Sequence, residues 1–306
     1  MVQEKTKNYH RFVHAAMGTV FEIKISRTDY DYAKFAATEA FRLLDTLEQY
    51  LSHYIANSDI SRISNLNIGE WTKVSLETYE CLMQCVEMYN LSDGIFDVTI
   101  GALYKTWLDE NMALKSPSKK EVAEARKYVG LYDLSFEETH YQVGMNSGPV
   151  SLDLGGFGKG YALDKMAELL QEWEIDSFVL NGGQSSMLFG APPQDEDGWN
   201  ITLSDPFNDY QQFRELCLKN SAIGGSGLQK GRHIIDPRPG KPIDNQRAVW
   251  ALAPSAAFAD GLSTTFMILD PEDISVLCQN FPQFKAILLN DGADDGQNRL
   301  TIYGDL

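Results

Sequence analysis

The chain has 306 residues, 43% hydrophobic and 11% aromatic, enough for one large domain or two intimate ones and too apolar for disorder. A formal net charge of −17 argues against nucleic acid or an anionic membrane surface as a partner. An anionic ligand must then be met by local amides, a few basic side chains or a metal ion. Cys81, Cys85, Cys217 and Cys278 form no C-x-x-C pair, and with five scattered histidines they give no zinc pattern. No run is long and apolar enough to span a membrane. Residues 1–10 read as a polar N-terminal extension without a signal-peptide core.

Alternation predicts a strand over residues 14–26, with Met17-Gly18-Thr19 inside it. Apolar residues at helical spacing (Phe35, Ala36, Ala40, Leu43, Leu44, Leu47) predict a helix over residues 29–54. Residues 52–67, rich in Ser and Asn, read as a loop. Further helices are expected over residues 76–91 and 117–130, the latter with Ser118 as its cap. Residues 141–150 read as a hairpin turning at Asn146-Ser147-Gly148. A short strand over 150–154 then leads through glycines into a helix beginning near Tyr161. Strands are expected at 177–180, 186–189, 199–204, 215–224, 249–253 and 284–289, and helices at 256–269 and 271–279. Helices and strands are interspersed without a strict βαβ rhythm. This predicts an α+β fold of mixed, mostly antiparallel sheets packed with helices.

The most concentrated stretch is Ser151-Leu152-Asp153-Leu154-Gly155-Gly156-Phe157-Gly158-Lys159-Gly160, followed by Tyr161-Ala162-Leu163-Asp164. Glycines let backbone amides approach a ligand, and a helix N-terminus favours an anion. Lys159 adds positive charge, and Asp153 can hydrogen-bond a sugar or base. The spacing fits neither G-x-G-x-x-G nor the phosphate loop. A purely structural turn and an anion or nucleotide site of a less common kind both remain open. Residues 226–242 hold Lys230, Arg232, His233, Arg238 and Lys241 in an otherwise acidic chain. They read as a basic lip for phosphates, with His233 or Asp236 available for proton transfer, or as a solvated loop. Asp260 and Thr264, four apart on an expected helix, share one face. They suit a hard cation such as Mg2+, or are a surface acid and a hydroxyl bonded back to the helix. Tyr54 with residues 58–65, the segment 94–101 and Asn181-Gly182-Gly183-Gln184 are lesser candidates for a ligand pocket.

Taken in order, these segments carry a likeness. Met17-Gly18-Thr19 is followed by Ser58-Asp59-Ile60-Ser61-Arg62-Ile63-Ser64-Asn65 and Phe96-Asp97-Val98-Thr99-Ile100-Gly101. Then come the glycine-rich stretch, Asn181-Gly182-Gly183, Ser226-Gly227, His233-Ile234-Ile235-Asp236-Pro237 and Ala259-Asp260-Gly261-Leu262-Ser263-Thr264. The series resembles the ApbE family, the FAD:protein FMN transferases, over residues 15–289.

The resemblance implies a single flavin-transferase domain over residues 11–306, with two intimate subdomains meeting near 150–180 and a flavin site in the cleft between two halves. It implies Mg2+-dependent transfer of FMN from FAD to a Ser or Thr hydroxyl of an acceptor protein through a phosphoester, with AMP leaving. Met17, Tyr54, Ile95, Phe96, Asp97, Asp153, Lys159 and Ile235 would line the FAD. Gly156, by its backbone oxygen, would hold Mg2+ with Asp260, Thr264 and Ser263. His233 and Asp236 would act at the transferring phosphate. The acceptor would be a separate flavoprotein with a Ser/Thr-Gly-Ala-Thr-like motif, such as a subunit of a redox-driven ion pump, since this chain contains no such run. The family's usual address is periplasmic, which applies if an export signal was trimmed; the chain as given reads as cytoplasmic. Two other activities fit the same residues: an FAD pyrophosphatase giving FMN and AMP, and a non-catalytic FAD carrier. The chain departs from the family at Gly156-Phe157-Gly158, at Pro239 and in a short 228–231 segment.

Overall fold

The structure, a computed structural model, describes residues 9–111, 113–183, 185–227, 233–291 and 299–305. Strand β1 (Tyr9–Ala16) returns as β2 (Thr19–Ser26) in an antiparallel hairpin. Alternation carries through residues 14–26 as if they were one strand. Met17 and Gly18, however, take φ of 50° and 68°, the left-handed pair of a tight two-residue hairpin turn. Helix α1 (Tyr30–Leu51) is capped by Asp29, which accepts from Asp31 N at 2.9 Å. The expected loop after it contains a helix, α2 (Asp59–Ser64). Ser58 accepts from Ser61 N at 3.0 Å, and Ile60 and Ile63 are buried. So few residues hold too little helical period to register in the sequence.

Next come β3 (Trp71–Lys73), α3 (Leu76–Leu91), α4 (Gly101–Trp107) and α5 (Lys119–Ala125). Ser118 and Glu121 form a reciprocal capping box on α5, which tightens into a 3-10 turn at Arg126–Tyr128 instead of running on as α-helix. In the next hairpin, β4 (Leu134–Glu137) and β5 (Gln142–Met145) turn over residues 138–141, not at 146–148. Tyr141 has φ 52° there, and β3 extends the ribbon by pairing with β5.

Helix α6 (Gly158–Glu172) leads to β6 (Phe178–Gly182), β7 (Ser186–Phe189), β8 (Trp199–Asp205), β9 (Gln211–Leu218) and β10 (Ser221–Gly227). Residues 215–224 are therefore two strands, parted by a turn in which Asn220 has φ 46°. The chain ends with β11 (Ile235–Asp236), β12 (Lys241–Pro242), β13 (Arg247–Ala253), α7 (Ala256–Ile268), α8 (Pro271–Asn280), β14 (Lys285–Asn290) and β15 (Leu300–Tyr303).

One eight-stranded sheet organises these elements, in the order β1-β2-β6-β7-β10-β13-β14-β15 with every pairing antiparallel. The fold is α+β. Its strands alternate between two cores. Val249 and Ala251 of β13 join the main core with α1, α6 and α7, whereas Leu252 faces the opposite side. There the β8–β9 ribbon covers the sheet through Trp199, Leu203 and Leu216. The main core runs continuously from Ala16 to Leu288 and includes Leu152, Phe157, Tyr161 and Phe178.

Helix α7 is held by near backbone contact on two sides. A Cβ at Gly160 of α6 would lie 2.2 Å from Ala256 O, and one at Gly224 of β10 would lie 2.2 Å from Ala259 O. Only glycine permits that approach. Among the described residues no helix is long and apolar enough to cross a membrane. Cys81, Cys85 and Cys278 are buried free thiols, and Cys217 is exposed.

Candidate functional site

The glycine-rich stretch forms the floor of a cleft. Val150, Leu152 and Leu154 are buried in alternation, yet they make no strand; only Ser151 bridges to Ile100. The neighbouring chain turns away into α4 at Gly101, which leaves a ladder of two bonds, Gly101 N to Ser151 O at 2.9 Å and Asp153 N to Val98 O at 2.7 Å. The Asp153 side chain then accepts from Gly155 N at 2.7 Å. Phe157 plugs the core, and α6 begins at Gly158, inside the glycine run rather than after it.

Above this floor lies a cleft of about 600 Å3. Its lining includes Tyr54, Ile95, Phe96, Asp97, Asp153 and Gly156. Lys159, His233, Ile235, Asp260 and Thr264 also line it. Segments far apart in the sequence thus meet in one place. Lys159 Nζ donates to Gly155 O at 3.1 Å and lies 3.6 Å from Asp260 Oδ2. Asp260 is 3% exposed, and among the described residues no hydrogen bond reaches its carboxylate closer than the 3.4 Å one from Gly160 N. A Cβ at Gly156 would stand 3.1 Å from Thr264 Oγ1, so this residue and Thr264 face each other across the α6–α7 junction.

Three of the expected site residues do not line the cleft. Ser263 is fully buried, donates to Asp260 O at 2.8 Å and pairs with Ser226 Oγ at 2.7 Å. Asp236 is held by Arg238, whose Nη2 and Nε donate to it at 2.8 and 3.0 Å and whose backbone N donates at 2.9 Å. Met17 sits in the β1–β2 turn with its N–H on Glu48 Oε1 at 2.8 Å. The turn is close by, since a Cβ at the lining residue Gly183 would meet Thr19 Oγ1 at 2.4 Å. Gln184 and residues 228–232, including Lys230 and Arg232, lie outside the described residues.

Other lining residues carry no motif. The His53 ring lies 3.9 Å from the Tyr54 ring, and its Nδ1 is 4.0 Å from Asp153 Oδ1. Tyr210, 64% exposed, enters from the β8–β9 turn, where it and Asp209 take φ of 56° and 45°. Asn208-Asp209 marks a turn in the sequence, but nothing there says that the turn reaches a cleft. Tyr54, 82% exposed, gives the cleft another open aromatic face.

Burial tunes several acids. It raises the Asp97 carboxyl, helped by the Asp133 charge, against hydrogen bonds from Thr99 Oγ1 at 2.6 Å and Thr99 N at 2.8 Å. Burial, with the Asp153 charge, pushes the Tyr104 phenol up to about 12. Burial also pushes Asp164 of α6 from 3.8 to about 6, although Ala256 N and Ala257 N donate to it. The folded chain therefore holds that proton more tightly than the unfolded chain. Its contribution to stability is complete below about pH 4 and is lost as pH rises through about 6. A rise of that size is worth about 3 kcal/mol. Urea denaturation from about pH 4 to 7 is expected to show this slope in the wild type and to lose it in Asp164→Asn; parallel curves would refute it.

Among the described residues no three His, Cys, Asp or Glu side chains cluster as metal ligands. The oxygens at the α6–α7 junction are of another kind: one buried carboxylate, a hydroxyl and the neighbouring glycine backbone. They fit a hard divalent cation that keeps water and phosphate among its ligands. A soft metal, which prefers thiolate or imidazole, does not suit them.

An α+β domain built on one large antiparallel sheet, whose glycine-led helix and Ser/Thr-bearing helix meet beneath an aromatic-edged cleft, defines a class of protein. The chain belongs to the ApbE family, which it matches over residues 17–288. It is 29% identical over 272 residues to the FAD:protein FMN transferase of Vibrio cholerae, covering 84% of this chain and 80% of that protein. The Escherichia coli FAD:protein FMN transferase is 25% identical over 272 residues, covering 84% and 77%. A structure of a variant of the flavin transferase ApbE from Vibrio cholerae superposes with a TM-score of 0.81 at 25% identity, covering 96% of each chain. The apo flavinyl transferase ApbE of Pseudomonas stutzeri shares the fold with a TM-score of 0.83 at 23% identity, covering 96% of this chain and 93% of that one.

Proposed function

We propose that this chain transfers the FMN half of FAD to a Ser or Thr hydroxyl of an acceptor protein, with Mg2+ bound at the α6–α7 junction. The observation that carries this reading is the meeting of Asp153, Gly156, Lys159, His233, Asp260 and Thr264 around one cleft with open aromatic edges. The FMN transferase names of its relatives support it.

In this reading Tyr54 and Phe96 take the planar part of the ligand, and Ile95 and Ile235 close apolar surface over it. Asp97, Asp153 and Met17 complete the FAD subsite from the floor and the adjoining turn. Lys159 places positive charge beside the pyrophosphate. Gly156 O, the Asp260 carboxylate and Thr264 Oγ1 would hold the cation, with Ser263 setting the Asp260 turn through its hydrogen bond. The cation, when bound, neutralises pyrophosphate charge and eases departure of AMP. The acceptor oxygen bonds to the flavin-side phosphorus, the bond from that phosphorus to the bridging oxygen breaks, and AMP leaves with that oxygen. His233 takes the hydroxyl proton. It lines the cleft, whereas Asp236 is held by Arg238 and shapes the β11–β12 turn.

The test measures AMP release from FAD with Mg2+, with and without a peptide carrying Ser/Thr-Gly-Ala-Thr, followed by the mass of the peptide. A mass gain equal to the FMN moiety is expected. AMP without that gain would replace the transferase by a pyrophosphatase, and FAD binding without AMP would leave a carrier.

A further inference from the structure

We infer that Asp164 is a positioning residue of this site: by gripping the first turn of α7 from α6, it sets Asp260 and Thr264 against Gly156 and Lys159. The inference rests on the cation site proposed above and adds to it a joint that has no place in the FAD or cation shells.

Both carboxylate oxygens of Asp164 are used, one on Ala256 N at 2.7 Å and the other on Ala257 N at 2.8 Å. Those are two of the N–H groups that a helix start leaves without an intrahelical partner. The usual local cap is also present, because Ser255 Oγ accepts from Phe258 N at 3.2 Å. Asp164 is thus a second cap on the same helix end, supplied from another helix across 92 residues of sequence.

Its position decides what it does. Asp260 lies one turn beyond Ala256, about 6 Å along the axis, and a helix transmits a clamp on its first turn to its second. On α6 the same run holds Lys159, whose Nζ is 3.6 Å from Asp260, and Gly160, which admits Ala256 O to its backbone. Of the groups that would hold the cation, Gly156 O therefore comes from the turn leading into α6 and Asp260 and Thr264 from α7, and Asp164 joins the two helices. A carboxylate withdrawn even partly from water is costly, and no step at the cleft uses this half-buried one. A role as the joint accounts for its presence.

Asp164→Ala and Asp29→Ala separate positioning from stability. Each removes a side-chain cap from a helix start, of α7 in the first and α1 in the second, and only the first uncouples α7 from α6; Ser255 is no control, since its hydroxyl also bonds Asp164. Mn2+ binding is titrated by electron paramagnetic resonance on the full chain without FAD, and the Tm of each variant is measured alongside. Asp164→Ala is expected to weaken Mn2+ binding about 10- to 100-fold, with Asp29→Ala lowering Tm but staying within about twofold of wild type in affinity. If Asp164→Ala does not fold, Asp164→Asn, which keeps the shape and one acceptor, carries the comparison with an intermediate loss. Equal affinity losses in the Asp164 and Asp29 variants, or unchanged affinity in the Asp164 variant, would overturn the inference. A wild-type chain that binds no Mn2+ would overturn the cation reading itself.

Discussion

Asp260→Ala is expected to slow AMP release and flavin transfer by about a thousandfold or more while FAD still binds. The carboxylate is the one acid at the α6–α7 junction buried to 3% exposure, and it faces Lys159 at 3.6 Å. Without it the hydroxyl of Thr264 and a backbone oxygen are too weak to hold a hard cation against water. Folding should survive, since Lys159 keeps its bond to Gly155 O at 3.1 Å and Ser263 still reaches the residue 260 carbonyl. Asp260→Asn keeps the volume and should fail alike. Steady-state kinetics over a range of Mg2+ concentrations decides the matter: wild-type turnover in either variant at any Mg2+ level would remove Asp260 from the cation site.

The second large effect belongs to His233. His233→Gln should cut transfer to the acceptor by roughly 10²–10⁴-fold, the usual worth of a positioned general base. FAD affinity should change little, because the residues proposed to bind it, Tyr54, Phe96 and Lys159, line the cleft from other elements. His233→Gly should regain part of its rate with added imidazole, whereas Asp236→Asn should not respond. A His233 variant that transfers at the wild-type rate would leave the proton to another group.

Much of the site was legible because its chemistry is local in the sequence. Residues 153–160 and 259–264 each announce a backbone approach or a face of oxygens within a few residues. What joins them is not local. Gly224, which looks like an ordinary strand glycine, is the place where β10 admits the backbone of α7, and only packing makes that visible. Tyr210 and His53 belong to no motif and become lining residues because a turn and a helix end happen to face the cleft. Ser263 and Thr264 look equivalent in the sequence, yet a rotation of about 100° per residue sends one hydroxyl to Ser226 and the other to the cleft.

The fold divides in a similar way. Long periodic elements such as α1, β13 and α7 fall where the pattern puts them. Two strand boundaries were missed where left-handed residues turn the chain back on itself, at Met17-Gly18 and at Asn220, because a turn of so few residues leaves the apolar pattern on both sides intact. The strand expected at 150–154 failed for another reason. Its residues alternate correctly, but the neighbouring chain ends as a strand partner at Gly101.

The order of the elements also sets when the cleft comes into being during synthesis. The residues of its floor have been made once α6 has left the ribosome, but those of α7 follow only after β13. Until then the face of α6 that carries Gly160 and Asp164 has no helix to receive it, and β10 has nothing to seat against Gly224. A nascent chain halted before residue 256 therefore exposes the apolar side of its sheet and owns no cleft. Such a chain has not yet made Asp260 or Thr264, so no fragment ending there can assemble the site.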